Sequence, residues 1–283
     1  MRLSLRLLCI LLMLAFLPCA ARAEEEKRVA LTLDDGPSAA TELLLDGLRE
    51  RGVSVTFFLC GYRIRERPDA VRRMAQDGHE LGVHGDSHAY FTTMPEKALR
   101  RELEDTAGAI LQLTGVPPTL VRPPGGLSNE KVLSVCADEG LRVIHWSVDP
   151  CDWDRSVRDK TVARVLKAAK DGDVILLHDL NKTTAKNVLA LIDALRARGF
   201  SFRTVSALAA ERSVTLLPGK RYSRFPLQSE GAPPARRSGT TQGKPSFVKR
   251  GWRGAPGDLT ATAARRRIRS AACGNKKRTP LNS

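Results

Sequence analysis

Histidine and aromatic residues are scarce in this chain, and its cysteines lack the spacing of a metal site. It has five histidines in 283 residues, and Phe, Trp and Tyr make up 5% of it. The six cysteines show no spacing typical of a structural zinc site and no Cys/His pattern of a cysteine nucleophile. Their pairing is left open for four of them, Cys60, Cys136, Cys151 and Cys273. No internal repeat is present before the C-terminal segment.

Long apolar runs are also missing, apart from one at the N-terminus that is too short for a comfortable membrane span. Leu7–Leu17 follows Arg2 and Arg6, and the small-x-small sequence Ala21-Arg22-Ala23 precedes an acidic run. These features predict a secretory signal over residues 1–23 that is removed on export. A retained N-terminal anchor is the alternative. We therefore expect a periplasmic, extracellular or cell-wall protein without a stable membrane span.

Acidic residues are nearly absent from the C-terminal segment, residues 219–283. This segment has 16 Lys and Arg against two Asp and Glu, so it accounts for nearly all of the net charge of +15. It is rich in Gly, Pro, Ser and Arg, which predicts a disordered tail. The charge could contact anionic polymers, but a charge run alone does not indicate specific nucleic-acid binding. A solvated tail is the favoured interpretation, with surface adhesion through the tail as the alternative.

Residues 24–218 are predicted to form one domain, since their number is typical of a single core. Apolar runs alternate with helical patterns and predict seven strands, at 29–33, 53–59, 80–83, 120–121, 142–148, 173–177 and 200–205. Such alternation favours parallel strands covered by helices. Seven strands with short connections predict a distorted (β/α) barrel, although a doubly wound open sheet fits the same pattern. Oligomeric state is left open.

Polar clusters directly follow five of the predicted strands. They are Asp34–Pro37, His84–His88, Arg122–Gly126, Asp149–Trp153 and His178-Asp179. In a parallel barrel the carboxyl ends of the strands share one face, and active sites form there. Each cluster alone could be an ordinary turn. Together they bring three of the five histidines to one face and predict an active site on it.

Two of those histidines, His84 and His88, are four residues apart and close enough to hold one metal ion. Neutral imidazole suits Zn²⁺, Ni²⁺ or Co²⁺. A catalytic zinc typically has three protein ligands and a position for water. Asp86, between the two imidazoles, is one candidate for the third ligand. His79 and His145 are predicted to be structural.

The order of the five clusters resembles the polysaccharide deacetylases, the nodulation-B-type homology domain of carbohydrate esterase family four. The resemblance runs from about Lys27 to Ala210. It rests on Thr32–Pro37, His84-xxx-His88, Arg122–Gly126, Asp149-xx-Asp152-Trp153 and Leu176–His178. It implies a distorted barrel with fewer than eight strands and removal of N-acetyl groups from an extracytoplasmic polysaccharide, with N-acetylglucosamine units of peptidoglycan or a related glycan favoured. A catalytically inactive glycan-binding protein and a xylan-type O-acetyl esterase are the alternatives.

The resemblance also implies a set of catalytic parts. Three residues would hold one divalent metal, with zinc favoured and cobalt, nickel or manganese left open: Asp35, His84 and His88. Asp34 would be the general base and Arg122 would orient it. His178 would be the general acid and Asp152 would tune it.

Four further residues are placed against the substrate by the resemblance: Pro124, Gly125, Trp153 and Leu176. Trp153 and Leu176 would form walls of the acetyl pocket, and a backbone N–H near Gly125 would help to hold the oxyanion. Family members often carry an aromatic residue at the position of Gly125, so we expect an aromatic wall to be missing there. They often carry Ser or Thr at the position of Gly85, so we expect weaker support for His84.

Overall fold

The computed structural model describes residues 26–227, which contain eight β-strands and eight α-helices. The strands are β1 (Lys27–Gly36), β2 (Thr56–Leu59), β3 (Glu80–Val83), β4 (Leu120–Val121), β5 (Arg142–Ile144), β6 (Val174–His178), β7 (Phe200–Arg203) and β8 (Arg221–Tyr222). The helices are α1 (Thr41–Glu50), α2 (Gly61–Glu66), α3 (Pro68–Gln76), α4 (Glu96–Thr114), α5 (Glu130–Asp138), α6 (Thr161–Ala168), α7 (Lys182–Arg196) and α8 (Val205–Glu211). The predicted secretory signal and the tail beyond residue 227 lie outside the described residues.

The strands form one parallel sheet in the order β6-β1-β2-β3-β4-β5-β8, with β7 also paired to β1. Two isolated bridges connect the far end of this sheet back to the β6 side. Val148, just after β5, pairs with Ile175, and Arg224, just after β8, pairs with Asp173. The sheet therefore curves into a distorted (β/α) barrel, and the predicted fold class is confirmed.

The two faces of the sheet pack into two different cores. Alternate strand residues, such as Val29, Leu31 and Leu33 of β1, pack outward against the helices. The intervening positions form a smaller inner core with α8 and Phe225, and its strand members are Ala30, Phe58, Leu120, Ile144 and Val174. This division follows from the two-residue period of a strand, which sends successive side chains to opposite faces.

Local sequence signals explain where several helices begin. Pro68 occupies the first turn of α3, where its missing N–H is not needed. The side chain of Asn129 accepts a hydrogen bond from the Val132 N–H at the start of α5. Asn181 and Thr184 form a reciprocal capping box at the start of α7. These caps satisfy backbone donors that helices otherwise leave unpaired.

The folded domain continues beyond residue 218, where the sequence analysis placed its end. Arg221–Tyr222 forms β8 and pairs with β5. The Phe225 side chain is 1% exposed in the inner core, and its N–H donates to the Gly172 carbonyl at 2.7 Å. The boundary at 218 was therefore placed too early. Residues 219–227 belong to the domain because Phe225 closes the inner core.

None of the helices within residues 26–227 is long and apolar enough to cross a bilayer. Two of the cysteines in this part of the chain, Cys60 and Cys136, are buried free thiols. Burial raises the pKa of both thiols. Cys151 is disulfide-bonded. The two free thiols therefore stay protonated and pack as small apolar side chains.

Candidate active site

Strand alternation carries polar side chains to one end of the barrel interior. The inner core includes one residue each from β1, β4 and β6: Ala30, Leu120 and Val174. Two positions further along the chain from these lie Thr32, Arg122 and Leu176. Asp34 and His178 lie four positions after Ala30 and Val174, and they are direct neighbours in the pairing of β1 with β6. Because every second side chain shares a face, these residues line the barrel above the inner core.

Asp34 and Asp35 are adjacent, so a regular strand would send their side chains to opposite faces. The pairing of β1 with β2 shifts register between Asp34 and Gly36, and Asp35 has a φ of 71°. A β-bulge of this kind turns the extra residue and redirects its side chain. Aspartate tolerates this left-handed conformation better than most residues. Both carboxylates consequently reach the same end of the barrel.

The side chains of Asp35, His84 and His88 converge on a candidate metal site. Their ligand atoms all lie within 4.8 Å of one another. Asp35 Oδ1 is 3.3 Å from His84 Nε2 and 3.0 Å from His88 Nε2. This oxygen is buried and accepts no well-directed hydrogen bond from the described residues. Two imidazole nitrogens and one orphaned carboxylate oxygen fit a divalent cation such as Zn²⁺.

The charges at this cluster agree with that assignment. Burial alone would raise the pKa of Asp35, but the imidazoles of His84 and His88 outweigh it and hold that pKa well below its ordinary value. The carboxylate is therefore ionised and ready to bind a cation. Burial likewise opposes protonation of His88, whereas the close contact with the Asp35 carboxylate raises the pKa of that imidazole.

The backbone around the site fixes the orientation of the imidazoles. His84 Nδ1 lies 2.6 Å from the Arg122 carbonyl, which accepts its proton and leaves Nε2 facing Asp35. The loop after His84 is held by Glu102, which accepts hydrogen bonds from the Asp86 and Ser87 N–H groups at 2.7 and 2.8 Å. These contacts support His84 and His88 without a hydroxyl at position 85.

Asp86, the alternative third ligand, is engaged elsewhere. Its carboxylate forms a two-point ion pair with Arg65, with N–O distances of 2.5 and 3.0 Å. It is not part of the group that converges on Asp35. The residue between the two imidazoles thus braces the loop and does not join the candidate metal site.

Asp34 lies beside the metal group but is held by Arg122. The Arg122 guanidinium is fully buried and donates to Asp34 Oδ1 and to Thr32 Oγ1, both at 2.7 Å. It also donates to the backbone carbonyls of Ile144 and His145 at 3.0 and 2.9 Å. The other Asp34 oxygen, Oδ2, is 3.7 Å from His84 Nε2. One oxygen of Asp34 is thus fixed, and the other faces the candidate metal site.

His178 faces the same site from β6 and is paired with Asp152. Asp152 Oδ1 is 2.6 Å from His178 Nδ1, and Oδ2 accepts the His178 backbone N–H at 2.9 Å. Burial opposes protonation of His178, but the bond and charge of Asp152, with the charges of Asp35 and Asp34, raise its pKa to about 9. Nδ1 is occupied by Asp152, so Nε2 is left to exchange protons with a ligand.

The structure also identifies Asp179, a positioning residue for which the sequence analysis assigned no role. It is 1% exposed and accepts hydrogen bonds from the side chains of Ser38 and Thr41. Its own N–H donates to the Asp34 carbonyl at 2.9 Å. A Cβ at Gly36 would lie 2.8 Å from Asp179 Oδ2, so glycine is needed where the two segments meet. Asp179 thereby fixes the turn that follows the two aspartates.

The four residues predicted to contact substrate differ in exposure. Pro124 is buried, Gly125 is exposed, Trp153 is half-buried, and Leu176 is 4% exposed on the same face of β6 as His178. Gly125 has a φ of 64°, and a Cβ there would lie 3.0 Å from the ring of Tyr90. An aromatic ring therefore does lie at this edge, but it comes from the loop after His88.

Gly85 and the two remaining histidines have structural explanations. Gly85 has a φ of 84°, and a Cβ there would lie 2.8 Å from the Phe91 ring, so a larger residue would be strained. His79 lies before β3, and its Nδ1 accepts the Val55 N–H at 3.2 Å. Burial lowers the pKa of both His79 and His145 to about 4. Neither imidazole joins the converging group.

Comparisons with known proteins identify sequences and folds that are similar to this chain. A family model described as "Polysaccharide deacetylase" matches residues 21–144. The peptidoglycan-N-acetylglucosamine deacetylase PgdA of Listeria monocytogenes is 36% identical over 72% of this chain. A chitooligosaccharide deacetylase of Rhizobium leguminosarum is 37% identical, and the match covers 66% of this chain and 94% of the relative.

A solved structure adds a comparison of the fold. Peptidoglycan deacetylase PdaC of Bacillus subtilis superimposes with a TM-score of 0.62 and 37% identity, over 66% of this chain and 91% of that structure. In sequence, PdaC is described as a peptidoglycan-N-acetylmuramic acid deacetylase. The chain spans less than half the length of the Listeria relative, since the match covers 43% of that protein.

Proposed function

Because the chain belongs to the polysaccharide deacetylase family, we propose that it is a metal-dependent hydrolase that removes N-acetyl groups from a polysaccharide. N-acetylglucosamine units of peptidoglycan or a related glycan are the favoured substrate. The observation that carries this proposal is the convergence of three groups at one end of the barrel. They are the Asp35–His84–His88 cluster, the Asp34–Arg122 pair and the His178–Asp152 pair.

The resident cation would be held by Asp35, His84 and His88. Zinc is favoured for this donor set, with cobalt, nickel or manganese as alternatives. When bound, such an ion polarises a carbonyl and lowers the pKa of water toward ~7. These are the two activations that hydrolysis of an unreactive amide requires.

Asp34 is assigned the role of general base. Its Oδ2 faces the metal group, while Arg122 holds Oδ1 at 2.7 Å and fixes the plane of the carboxylate. Asp34 therefore can accept the proton of the attacking water without being a ligand. Leu176 and Trp153 would exclude water around the acetyl methyl, and a backbone N–H near Gly125 would stabilise the oxyanion.

His178 is assigned the role of general acid. Breaking the C–N bond releases an amine, which leaves readily only when it is protonated. Asp152 holds Nδ1, so the proton is delivered from Nε2. Because Asp152 keeps the imidazole protonated at neutral pH, the acid is charged before the substrate arrives.

The alkaline limb of the pH profile is expected to report His178. Its pKa is raised to about 9, so kcat/KM should fall as the pH rises through that value and the acid loses its proton. Asp152→Asn removes the carboxylate that raises this pKa, so the limb should move toward neutral pH. The measurement is kcat/KM against pH for both proteins. An alkaline limb that does not move in Asp152→Asn would remove His178 as the acid.

Acetate release with and without a chelator tests the function itself. The panel comprises N-acetylglucosamine oligomers, peptidoglycan strands and O-acetylated xylan. We expect release from an N-acetylated glycan, its loss on chelation, and its recovery with added Zn²⁺. In parallel, Zn²⁺ should raise the Tm of the apo-protein, and the same ion should not raise the Tm of Asp35→Asn/His84→Ala. The Tm readout is independent of turnover.

Each alternative function has its own outcome in this panel. Release from O-acetylated xylan alone would identify an esterase and overturn the amidase proposal. Glycan binding without release at any metal concentration would identify a binding protein of the same fold. Turnover that survives complete metal removal would contradict the metal-binding role given to Asp35, His84 and His88.

Export of the protein is proposed on two grounds. The glycans that the family's named members act on include peptidoglycan, which lies outside the cytoplasmic membrane, and residues 1–23 have the composition of a secretory signal. The anionic polymers of the cell surface would also be the natural contacts of the basic tail.

A further inference from the structure

The first turn of α2 lies between the two halves of the candidate metal site. The Cys60 N–H donates to the Gly36 carbonyl at 3.1 Å, next to Asp35. The Gly61 and Tyr62 N–H groups donate to the carbonyls of Gly85 and Asp86, both at 3.0 Å, in the His84–His88 loop. The side chains that follow on α2 are therefore fixed relative to the metal ligands on both sides.

Arg63, the next residue, is half-buried and forms no ion pair with the carboxylates of residues 26–227. Its Nε donates to the Tyr62 hydroxyl at 2.7 Å, and its guanidinium carbon lies 5.4 Å from the Tyr62 ring centroid. Arg65, two residues later, points elsewhere and pairs with Asp86. The two terminal nitrogens of the Arg63 guanidinium are thus available to an external acceptor.

The guanidinium of Arg63 is influenced by the negative charge of the candidate metal site. Burial lowers the pKa of Arg63, but the hydrogen bond that it donates to Tyr62 and the negative charge of Asp35 raise it above its ordinary value. No direct contact joins the two side chains. Because Cys60 is bonded to Gly36 and Tyr62 to Asp86, Arg63 follows a turn that is fixed beside the candidate metal site.

We propose that Arg63, held in place by Tyr62, binds a carboxylate carried by the glycan substrate next to the acetamide that is hydrolysed. A planar guanidinium with two free nitrogens matches a carboxylate in a two-point hydrogen bond. This inference rests on the proposed function and narrows its substrate class to acidic N-acetylated glycans. A muramic acid residue without its peptide, or a neighbouring uronic acid, presents the same group.

The test compares kcat/KM for acetate release from four soluble tetrasaccharides. One alternates N-acetylglucosamine with peptide-free N-acetylmuramic acid, the second is its carboxyl methylamide, the third alternates N-acetylglucosamine with glucuronic acid, and the fourth is the neutral N-acetylglucosamine tetramer. A hydrogen-bonded charge pair of this kind corresponds to a preference of about 10–100-fold for the carboxylate over the methylamide. Preference for the first or third substrate distinguishes the two sources.

Two variants at Arg63 and one elsewhere separate recognition from folding. Arg63→Gln should lose the preference for the carboxylate while turning over the neutral tetramer within about twofold of wild type. Arg63→Lys should recover part of the preference, since it keeps the charge but not the fork. Arg67→Gln is the matched control, because Arg67 is exposed, lies one helical turn later and also forms no ion pair within the described residues.

The outcomes for this inference and for the proposed function differ. Equal loss on all four substrates in Arg63→Gln, or a wild-type protein without preference for the carboxylate, overturns the inference and leaves the deacetylase proposal intact. No acetate from any tetrasaccharide with wild-type protein in Zn²⁺ means that the proposed function fails, and the inference fails with it.

Discussion

Asp34→Asn is expected to lower kcat by about 10²–10⁴-fold, the contribution typical of a general base. The amide cannot accept the proton of the attacking water. Asp35, His84 and His88 are untouched by the change, so the affinity for Zn²⁺ should stay close to that of the wild-type protein. The loss should therefore fall on the chemical step.

Three measurements on Asp34→Asn test this assignment: kcat, Zn²⁺ affinity by calorimetry, and Tm. Asp77→Asn is a matched control, because Asp77 follows α3 and pairs with Arg49 at 2.6 Å, away from the converging group. Activity above about a tenth of wild type would exclude Asp34 as the base. A loss of activity that tracks a loss of bound Zn²⁺ would instead make Asp34 a metal ligand.

Arg122→Met is expected to lower the free energy of unfolding by about 3–5 kcal/mol, the usual result of removing one partner of a buried ion pair. Arg122 is fully buried, and the substitution leaves the Asp34 carboxylate without its counter-charge. It also leaves Thr32 Oγ1 and the carbonyls of Ile144 and His145 without their donor. Turnover should fall as well, since nothing then fixes Asp34.

Urea denaturation followed by tryptophan fluorescence measures this change. The double variant Asp34→Asn/Arg122→Met should be more stable than the sum of the two single changes implies, because no unpaired buried charge remains. Single effects that add within about 0.5 kcal/mol would contradict the coupling. Arg212→Met supplies a comparison, since Arg212 is 6% exposed and pairs with Asp171 outside the site. It should lose stability while kcat stays unchanged.

The part of the fold set by strong periodicity could be predicted from the sequence. The β-branched and aromatic run before Leu59 gave β2, and the helical spacing from Pro95 to Leu113 gave α4. The seven predicted strands correspond to β1–β7. Because the carboxyl ends of parallel strands meet on one face, the grouping of Asp34, His84 and His178 could be predicted as well.

The eighth strand could not be predicted, because two residues are too few to show the alternation of apolar and polar side chains that indicates a strand. Arg221–Tyr222 lies in a basic stretch whose composition is typical of disorder, and only pairing with β5 makes it a strand. Phe225 is buried for a tertiary reason, the closing of the inner core. The roles of Arg63 and Tyr90 could not be predicted either. Each depends on a contact between segments that are distant in the sequence. In the sequence, nothing distinguishes Arg63 from the other basic residues near it.

The register shift at Asp35 makes the site sensitive to the number of residues in this turn as well as to the identity of its two aspartates. Substitutions around it alter one carboxylate at a time. Deleting one residue between Thr32 and Pro37 would instead restore regular pleating and send one of the two acids to the outer face, toward the helices. The two carboxylates would then no longer act at the same place, so we expect a deletion here to abolish activity even when both aspartates are kept.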